Sequence, residues 1–112
     1  MEISIRAVDR VKIVSLSGRL DSSVADTLMD QFKSLVESGQ VQLVCNMANA
    51  EYISSSGLRA LLGTLKKTRT QQGDLRLACL PSCVKEVLDM AGFTQLFKIF
   101  PTEEEAINSL KQ

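Results

Sequence analysis

The sequence predicts a single α/β domain over residues 1–112, with a mixed, mostly parallel sheet and four helices packed mainly on one face. Short runs rich in Ile, Val and Leu, bounded by polar turns, are typical of strands. After the first two, these runs alternate with stretches whose apolar residues recur at helical spacing, which indicates parallel strands joined by helices. The length suits one domain, and there is no linker or internal repeat. The predicted order is ββαβαβαβα.

The first two strands are predicted to form a hairpin. Residues 2–8 and 11–17 are rich in Ile and Val, and the polar pair Asp9-Arg10 separates them. Two such runs joined by a short polar break are typical of a β-hairpin.

The first helix is predicted to follow a polar break at 18–23. Ser22 or Ser23 is expected to cap this helix, because Asp26 lies three residues after Ser23 as in a capping box. Asp21 is an alternative residue to begin it. Apolar residues then recur at helical spacing until Gly39, which ends the helix.

The middle of the chain predicts a strand, a polar loop and a second helix. Residues 41–45 are almost continuously apolar, which suits a strand covered on both faces. The polar stretch 46–56 is expected to form a loop. Leucines at helical spacing over 58–65 then predict the helix.

The C-terminal part repeats the alternation. Residues 75–80 predict a strand, and a helix opens at Pro81-Ser82 and stops at Gly92. Residues 96–100 predict a last short strand. Thr102 then begins the final helix, with a glutamate three residues later as in a capping box.

Composition narrows the classes of function. Thirteen basic and thirteen acidic side chains balance, so the chain has no general attraction to nucleic acid or to an anionic membrane. No apolar run approaches the roughly 20 residues of a membrane helix, and the first residues lack the pattern of a secretion signal. A cytoplasmic protein is expected.

Histidine is missing from the sequence, which excludes Ser-His and Cys-His catalysis and histidine-based metal sites. The three cysteines, Cys45, Cys79 and Cys83, form no Cys-x-x-Cys motif and are expected to be reduced, buried apolar residues. The sequence therefore predicts no cofactor, no metal and no enzymatic activity.

Two polar segments follow predicted strands, at 18–23 and 49–58, and the carboxyl ends of strands are where open α/β sheets bind ligands. The second segment holds Ser54, Ser55 and Ser56 before Gly57. One serine is enough to cap a helix. The free N–H groups of a helix start also favour a phosphate, so capping and phosphorylation both remain open from the residues alone.

The segment Ile53-Ser54-Ser55-Ser56-Gly57-Leu58-Arg59-Ala60-Leu61-Leu62 resembles the signature loop and helix of the STAS domain. Gly18-Arg19-Leu20-Asp21 resembles a second motif of that family, Gly-x-Leu/Ile-Asp. The element order also matches, so that the resemblance covers essentially the whole chain. The STAS domain characterises bacterial anti-sigma factor antagonists.

The resemblance implies a phosphorylation switch that regulates transcription. The unmodified antagonist binds an anti-sigma factor, a serine kinase of the GHKL ATPase type, and frees the sigma factor. The kinase then phosphorylates the serine before the glycine, which corresponds to Ser56, and a PP2C-type phosphatase restores the hydroxyl. The implied partner surface consists of Asp21, Ser22, Ser54, Ser55, Ser56, Gly57 and Leu58.

Ser54 stands where the family usually has Asp, so kinase recognition is expected to differ, and Ser55 or Ser54 is a secondary acceptor.

Two alternative functions remain open. One is a STAS scaffold in a non-sigma assembly, such as a lipid-transport ATPase complex or a stress-sensing complex. The other is a small hydrolase, against which the missing histidine and the missing phosphate-binding Gly-Lys loop argue.

Overall fold

The predicted order of strands and helices is confirmed by the structure, a computed structural model that describes residues 2–111. The strands are β1 (Glu2–Val8), β2 (Val11–Leu20), β3 (Gln42–Ile53), β4 (Asp74–Ala78) and β5 (Ile99–Phe100). The helices are α1 (Ser22–Glu37), α2 (Ser55–Thr70), α3 (Ser82–Ala91) and α4 (Glu103–Leu110), with a 3₁₀ turn at Phe93–Gln95.

The five strands form one sheet in the order β1-β2-β3-β4-β5. The β1–β2 pair is antiparallel and closes at Val8 opposite Val11, as the predicted hairpin requires. Asp9 in the turn has a φ of 55°, the left-handed conformation that tight hairpin turns use. The remaining neighbours are parallel, so the sheet is mixed and mostly parallel.

Helices α1, α2 and α3 cover one face of the sheet, and α4 covers part of the other. The larger apolar cluster combines alternate strand residues such as Leu43 and Cys45 with buried residues of α1, α2 and α3. The intervening strand residues, such as Val44, pack with Ala106 and Ile107 of α4. The prediction that the helices lie mainly on one face is confirmed.

Strand β3 is much longer than predicted, and the expectation of a loop over 46–56 was wrong. The strand continues to Ile53 because β2 also extends to Leu20 and supplies its backbone hydrogen-bond partner. Two register irregularities in this pairing accompany a change in the spacing of the buried residues, which fall at Met47, Ala50 and Ile53. A spacing of three residues does not look like a strand in the sequence.

The last two strands are shorter than predicted. Strand β4 stops at Ala78 because Cys79 bends the chain with a φ of 60°. Strand β5 has two residues, since residues 96 and 97 continue the 3₁₀ turn at 93–95 as a turn and a bend, and the pairing with β4 begins at Ile99. The cap of α4 is confirmed, because the Thr102 Oγ accepts the Glu105 N–H at 3.2 Å.

The expectation that all three cysteines are buried was wrong. Cys45 is fully buried in β3, and burial raises the pKa of its thiol to about 12. Cys79 is half-buried at its bend, and Cys83 is exposed in the first turn of α3.

Candidate functional site

The carboxyl ends of β2 and β3 lie side by side, so the two polar segments of the sequence meet at one edge of the sheet. Leu20 and Ile53 are opposite each other in the parallel register. The next residue, Ser54, donates its N–H to the Leu20 carbonyl oxygen at 2.8 Å. Helices α1 and α2 therefore start from adjacent positions and present their free N–H groups at the same edge.

Asp21 caps α1, and the prediction of a Ser22 or Ser23 cap with Asp26 was wrong. The Asp21 Oδ1 accepts the Ser23 N–H at 3.1 Å and the Ser23 hydroxyl at 2.6 Å. Asp21 takes this position because its backbone is still extended, with φ −97° and ψ −177°, as a capping residue requires.

The same hydrogen bonds set the charge of this cap. The hydrogen bond from the Ser23 hydroxyl holds the pKa of the Asp21 carboxyl below its usual value. The N–H groups of Ser23 and Val24 and the charge of Arg19 make smaller contributions that also lower this pKa. Asp21 therefore places a negative charge at the start of α1 at neutral pH.

Ser54 caps α2, and its hydroxyl is occupied by that role. The Ser54 Oγ accepts the Gly57 N–H at 3.1 Å. The two following serines differ in exposure, because Ser55 is exposed and Ser56 is half-buried. The Ser54 hydroxyl thus supplies the capping hydrogen bond, and the first turn of α2 contains no acidic side chain.

Ser56 faces the neighbouring helix. It lines a groove of about 190 Å³ between α1 and α2, together with Ala25, Asp26 and Met29 of α1 and Arg59 and Ala60 of α2. The groove carries one acidic and one basic side chain. A group added to Ser56 would enter this groove, whereas a group added to Ser55 would extend into solvent.

Gly57 and Leu58, which were expected to contact a partner, are both buried. A Cβ atom at Gly57 would lie 2.7 Å from the Leu20 Cγ and 3.0 Å from the Ile53 Cγ1. The glycine is therefore required for close packing of α2 on the strand ends rather than for the approach of a partner. Leu58 is 6% exposed and belongs to the core. Ser22, in contrast, is exposed as the first residue of α1.

Arg19 and Tyr52 border the site, and their pairing was not predicted from the sequence. They face each other in the β2–β3 register, with the Arg19 Cζ 4.3 Å from the centroid of the Tyr52 ring. Both side chains are exposed. Tyr52 is the single tyrosine of the chain and lies in a polar stretch. An aromatic residue in such a stretch was the signal that could have indicated a surface role for it. A cation–π pair of this kind contributes about 0.5–1 kcal/mol.

Over residues 2–111, no cluster of three His, Cys, Asp or Glu side chains is arranged to hold a metal ion. In the same range, no helix is both long enough and apolar enough to cross a membrane. What the site does offer is a small surface of hydroxyls, the Asp21 carboxylate and free N–H groups at two adjacent helix starts, with Asp26 in the neighbouring groove.

Fold and site together define a class of small α/β domains whose polar surface lies where two helices start at one edge of the sheet. The chain belongs to the STAS domain family, whose sequence model matches residues 2–106.

Two relatives are about one-third identical to this chain. A candidate anti-sigma factor antagonist of Bordetella bronchiseptica, BtrV, is 32% identical over 111 residues, which cover 99% of this chain and 96% of that protein. The anti-sigma F factor antagonist of Paenibacillus polymyxa is 32% identical over 103 residues, which cover 91% of this chain and 86% of that protein.

A solved structure has the same fold. The anti-sigma factor antagonist SpoIIAA in its unphosphorylated form superimposes with a TM-score of 0.88 at 21% identity, covering 98% of this chain and 96% of that chain. SpoIIAA from Bacillus in its phosphorylated form gives a TM-score of 0.78, also at 21% identity, covering 96% of this chain and 98% of that chain.

Proposed function

We propose that this chain is an anti-sigma factor antagonist. It binds an anti-sigma factor serine kinase of the GHKL ATPase type and thereby frees a sigma factor, acting in the cytoplasm as a binding protein and not as an enzyme. The observation that carries the proposal is the pair of adjacent helix starts at the ends of β2 and β3, where exposed serines and the Asp21 carboxylate share one edge of the sheet. The names of the two relatives support the class of partner.

The partner surface that we propose is narrower than the one predicted from the sequence. It consists of Asp21, Ser22, Ser54, Ser55 and Ser56, without the buried Gly57 and Leu58. Arg19 and Tyr52 extend it on the side of the strands, because both are exposed and continue the same strand ends.

Phosphorylation in the first turn of α2 is the proposed off-switch. The sequence motif favoured Ser56 as acceptor, but exposure favours Ser55. A kinase must reach the hydroxyl from solvent, and Ser55 is exposed whereas Ser56 faces the groove beside α1. Ser54 is the least suitable, because its hydroxyl already caps the helix. That one structural neighbour exists in phosphorylated and unphosphorylated forms supports a switch of this type.

The physical effect of the phosphate follows from where it would be added. It brings about −1.5 to −2 charge at pH 7. The free N–H groups of a helix start favour an anion, so the modification leaves the fold intact. On the partner side, the added charge and volume prevent close packing of the two proteins. A PP2C-type phosphatase removes the phosphate and restores binding.

The proposal is tested by incubating the protein with ATP and the serine kinase recovered by affinity purification, and by locating the phosphate with mass spectrometry. Ser55→Ala is expected to abolish incorporation, and Ser56→Ala to reduce it little. Ser34→Ala, at an exposed serine in the second half of α1, is the matched control and should be phosphorylated like the wild type.

Other results would change the acceptor residue, the location of the switch or the class of partner. Loss of incorporation in Ser56→Ala alone would return the acceptor to the residue that the sequence motif favoured. If both variants are phosphorylated as well as the wild type, the switch does not lie at this helix start. Recovery of transporter or stress-complex subunits in place of a kinase would favour the scaffold alternative.

A further inference from the structure

Strand β1 lies at the edge of the sheet, and no strand of residues 2–111 pairs with its outer side. In an antiparallel pair, alternate residues direct their N–H and C=O groups away from the neighbouring strand. The seven residues of β1 therefore present a row of backbone groups that another strand can bind. Natural edge strands are commonly protected by charged side chains, proline or a bulge. Residues 2–8 contain no proline, their register with β2 has no bulge, and their two charges, Glu2 and Arg6, are of opposite sign.

The sequence of β1 is complementary to itself. In the segment Glu2-Ile3-Ser4-Ile5-Arg6, the residues on the two sides of Ser4 match by chemistry. If a second copy pairs antiparallel with Ser4 opposite Ser4, Glu2 lies opposite Arg6 of the second copy, and Arg6 opposite its Glu2. Ile3 and Ile5 lie opposite each other in the same way. Opposite charges and apolar side chains are the favourable cross-strand pairs of an antiparallel sheet.

The two faces of β1 match this arrangement. Ile3 and Ile5 pair with Leu16 and Val14 of β2, which are core residues on the face covered by α1. Ile5 is nevertheless 41% exposed, because no strand lies beyond it. Pairing of two copies would bring four isoleucines together on this face.

A groove beside Ile5 remains open to solvent. It has a volume of about 470 Å³ and lies between Ile5 and α1, where Thr27, Gln31 and Leu35 form its wall. Ile3 of a second copy would lie opposite Ile5 at the mouth of this groove. The exposed apolar surface of Ile5 and the edge backbone would thus be covered by the same contact.

On the opposite face, Arg6 can serve two carboxylates. Within its own chain it forms an ion pair with Glu103 at the start of α4, yet its side chain remains 54% exposed. A guanidinium has five N–H donors, enough for Glu103 and for Glu2 of a second copy together.

We propose that β1 is a self-association surface, through which two copies of this chain form a symmetric dimer with one continuous sheet. The contact uses the side edge of the sheet, whereas the proposed partner site lies at the carboxyl ends of β2 and β3. The dimer therefore carries two partner sites, and its formation does not depend on the proposed function.

The test is the oligomeric state of the isolated chain, measured by sedimentation velocity from about 10 µM to about 1 mM, the range in which a modest interface associates. The wild type is expected to form dimers as concentration rises. Glu2→Arg places a guanidinium opposite the Arg6 guanidinium in both halves of the contact and should weaken the dimer at least about tenfold. Arg6→Glu should have the same effect, because it places two carboxylates opposite each other.

The two weakened variants supply the decisive control. In an equimolar mixture of Glu2→Arg and Arg6→Glu, each of the two charge pairs is again between opposite charges, so dimers should reappear. Since Arg6→Glu also faces Glu103, its melting curve is compared with that of the wild type. If it is unfolded, the mixture is omitted and the exposed Ile5→Lys, measured alone, is the second variant that should weaken the dimer. A wild type that stays monomeric over the whole range, or a dimer that Glu2→Arg does not weaken, overturns the proposal.

Discussion

The two ends of α2 are built in opposite ways. At its start, the neutral hydroxyl of Ser54 is the cap, and Ser55 is exposed with no acidic group in the first turn. At its end, Arg69 donates to Asp74 at 3.1 Å and to the Leu96 carbonyl oxygen at 2.8 Å. Ion pairs and hydrogen bonds thus tie the end of the helix to the rest of the domain.

The network at the end of α2 extends to the opposite face of the sheet. Asp74 also accepts from Arg76 at 3.0 Å, and Arg76 donates to the Ser109 carbonyl oxygen of α4 at 2.9 Å. The difference between the two ends of α2 shows where a charge can be added to the domain. At the end of α2 a buried carboxylate already has its partners, whereas at the start there is space and a positive helix pole for a new anion.

The largest effect is expected from a charge at the start of α2. Ser55→Asp should weaken binding of the serine kinase by about 100-fold, because it imitates part of the phosphate charge at the contact. Titration calorimetry measures the affinity. Ser34→Asp on α1 carries the same change outside the proposed surface and should bind like the wild type. Equal weakening by both variants would mean that net charge and not the site controls binding.

Removing the carboxylate at the other end of the helix should act on stability instead. Asp74→Ala is expected to lower the free energy of unfolding by about 2 kcal/mol, because it leaves two guanidinium groups without their buried acceptor. Urea unfolding measures the loss, and kinase affinity should be unchanged under native conditions. A stable variant with weakened binding would contradict the division of roles between the two ends.

Two glycines of α2 provide a third test within one helix. Gly57→Ala should cost about 1–3 kcal/mol of stability, because the new methyl group would meet the Leu20 Cγ at 2.7 Å. Gly63→Ala is the matched control, where the nearest atom is the flexible Met29 Cε at 3.3 Å. Because alanine favours a helix by up to about 1 kcal/mol over glycine, this variant should be neutral or stabilising. Equal losses would refute the packing role of Gly57.

The smallest effect on stability is expected at Asp21, which caps the neighbouring helix α1. Its pKa is below the ordinary value of 3.8, so its contribution to stability is complete above that pH and is lost as the pH falls through the lowered value. Asp21→Asn keeps a capping oxygen but does not titrate. The stability difference between wild type and variant should therefore shrink on acidification below about pH 4, as followed by thermal unfolding at a series of pH values. A difference independent of pH would contradict the assignment of the charge.

Local sequence signals predicted much of the fold. The hairpin at Asp9-Arg10, the ends of helices near Gly39 and Gly92, and the Thr102 cap depend on residues close in the chain, and all lie where they were predicted. The length of β3 could not be predicted in this way, because its second half is held by β2, a strand far away in the sequence.

The meeting of the two polar segments at one edge of the sheet was predictable, but the packing of their side chains was not. The motif around Ser54–Gly57 located the edge of the sheet correctly, since strand ends and helix starts have a local pattern. Which serine is exposed depends on how α1 packs against α2. Position 57 requires glycine because a side chain there would collide with Leu20. Such contacts join separate parts of the chain and have no signature in a single sequence.

Amide hydrogen exchange of the chain with and without the serine kinase tests the location of the partner surface most directly. We expect slower exchange in peptides covering 19–26 and 51–60, and unchanged exchange in α4, which lies on the other face of the sheet. Protection of α4 with no change at the starts of α1 and α2 would contradict the proposed site.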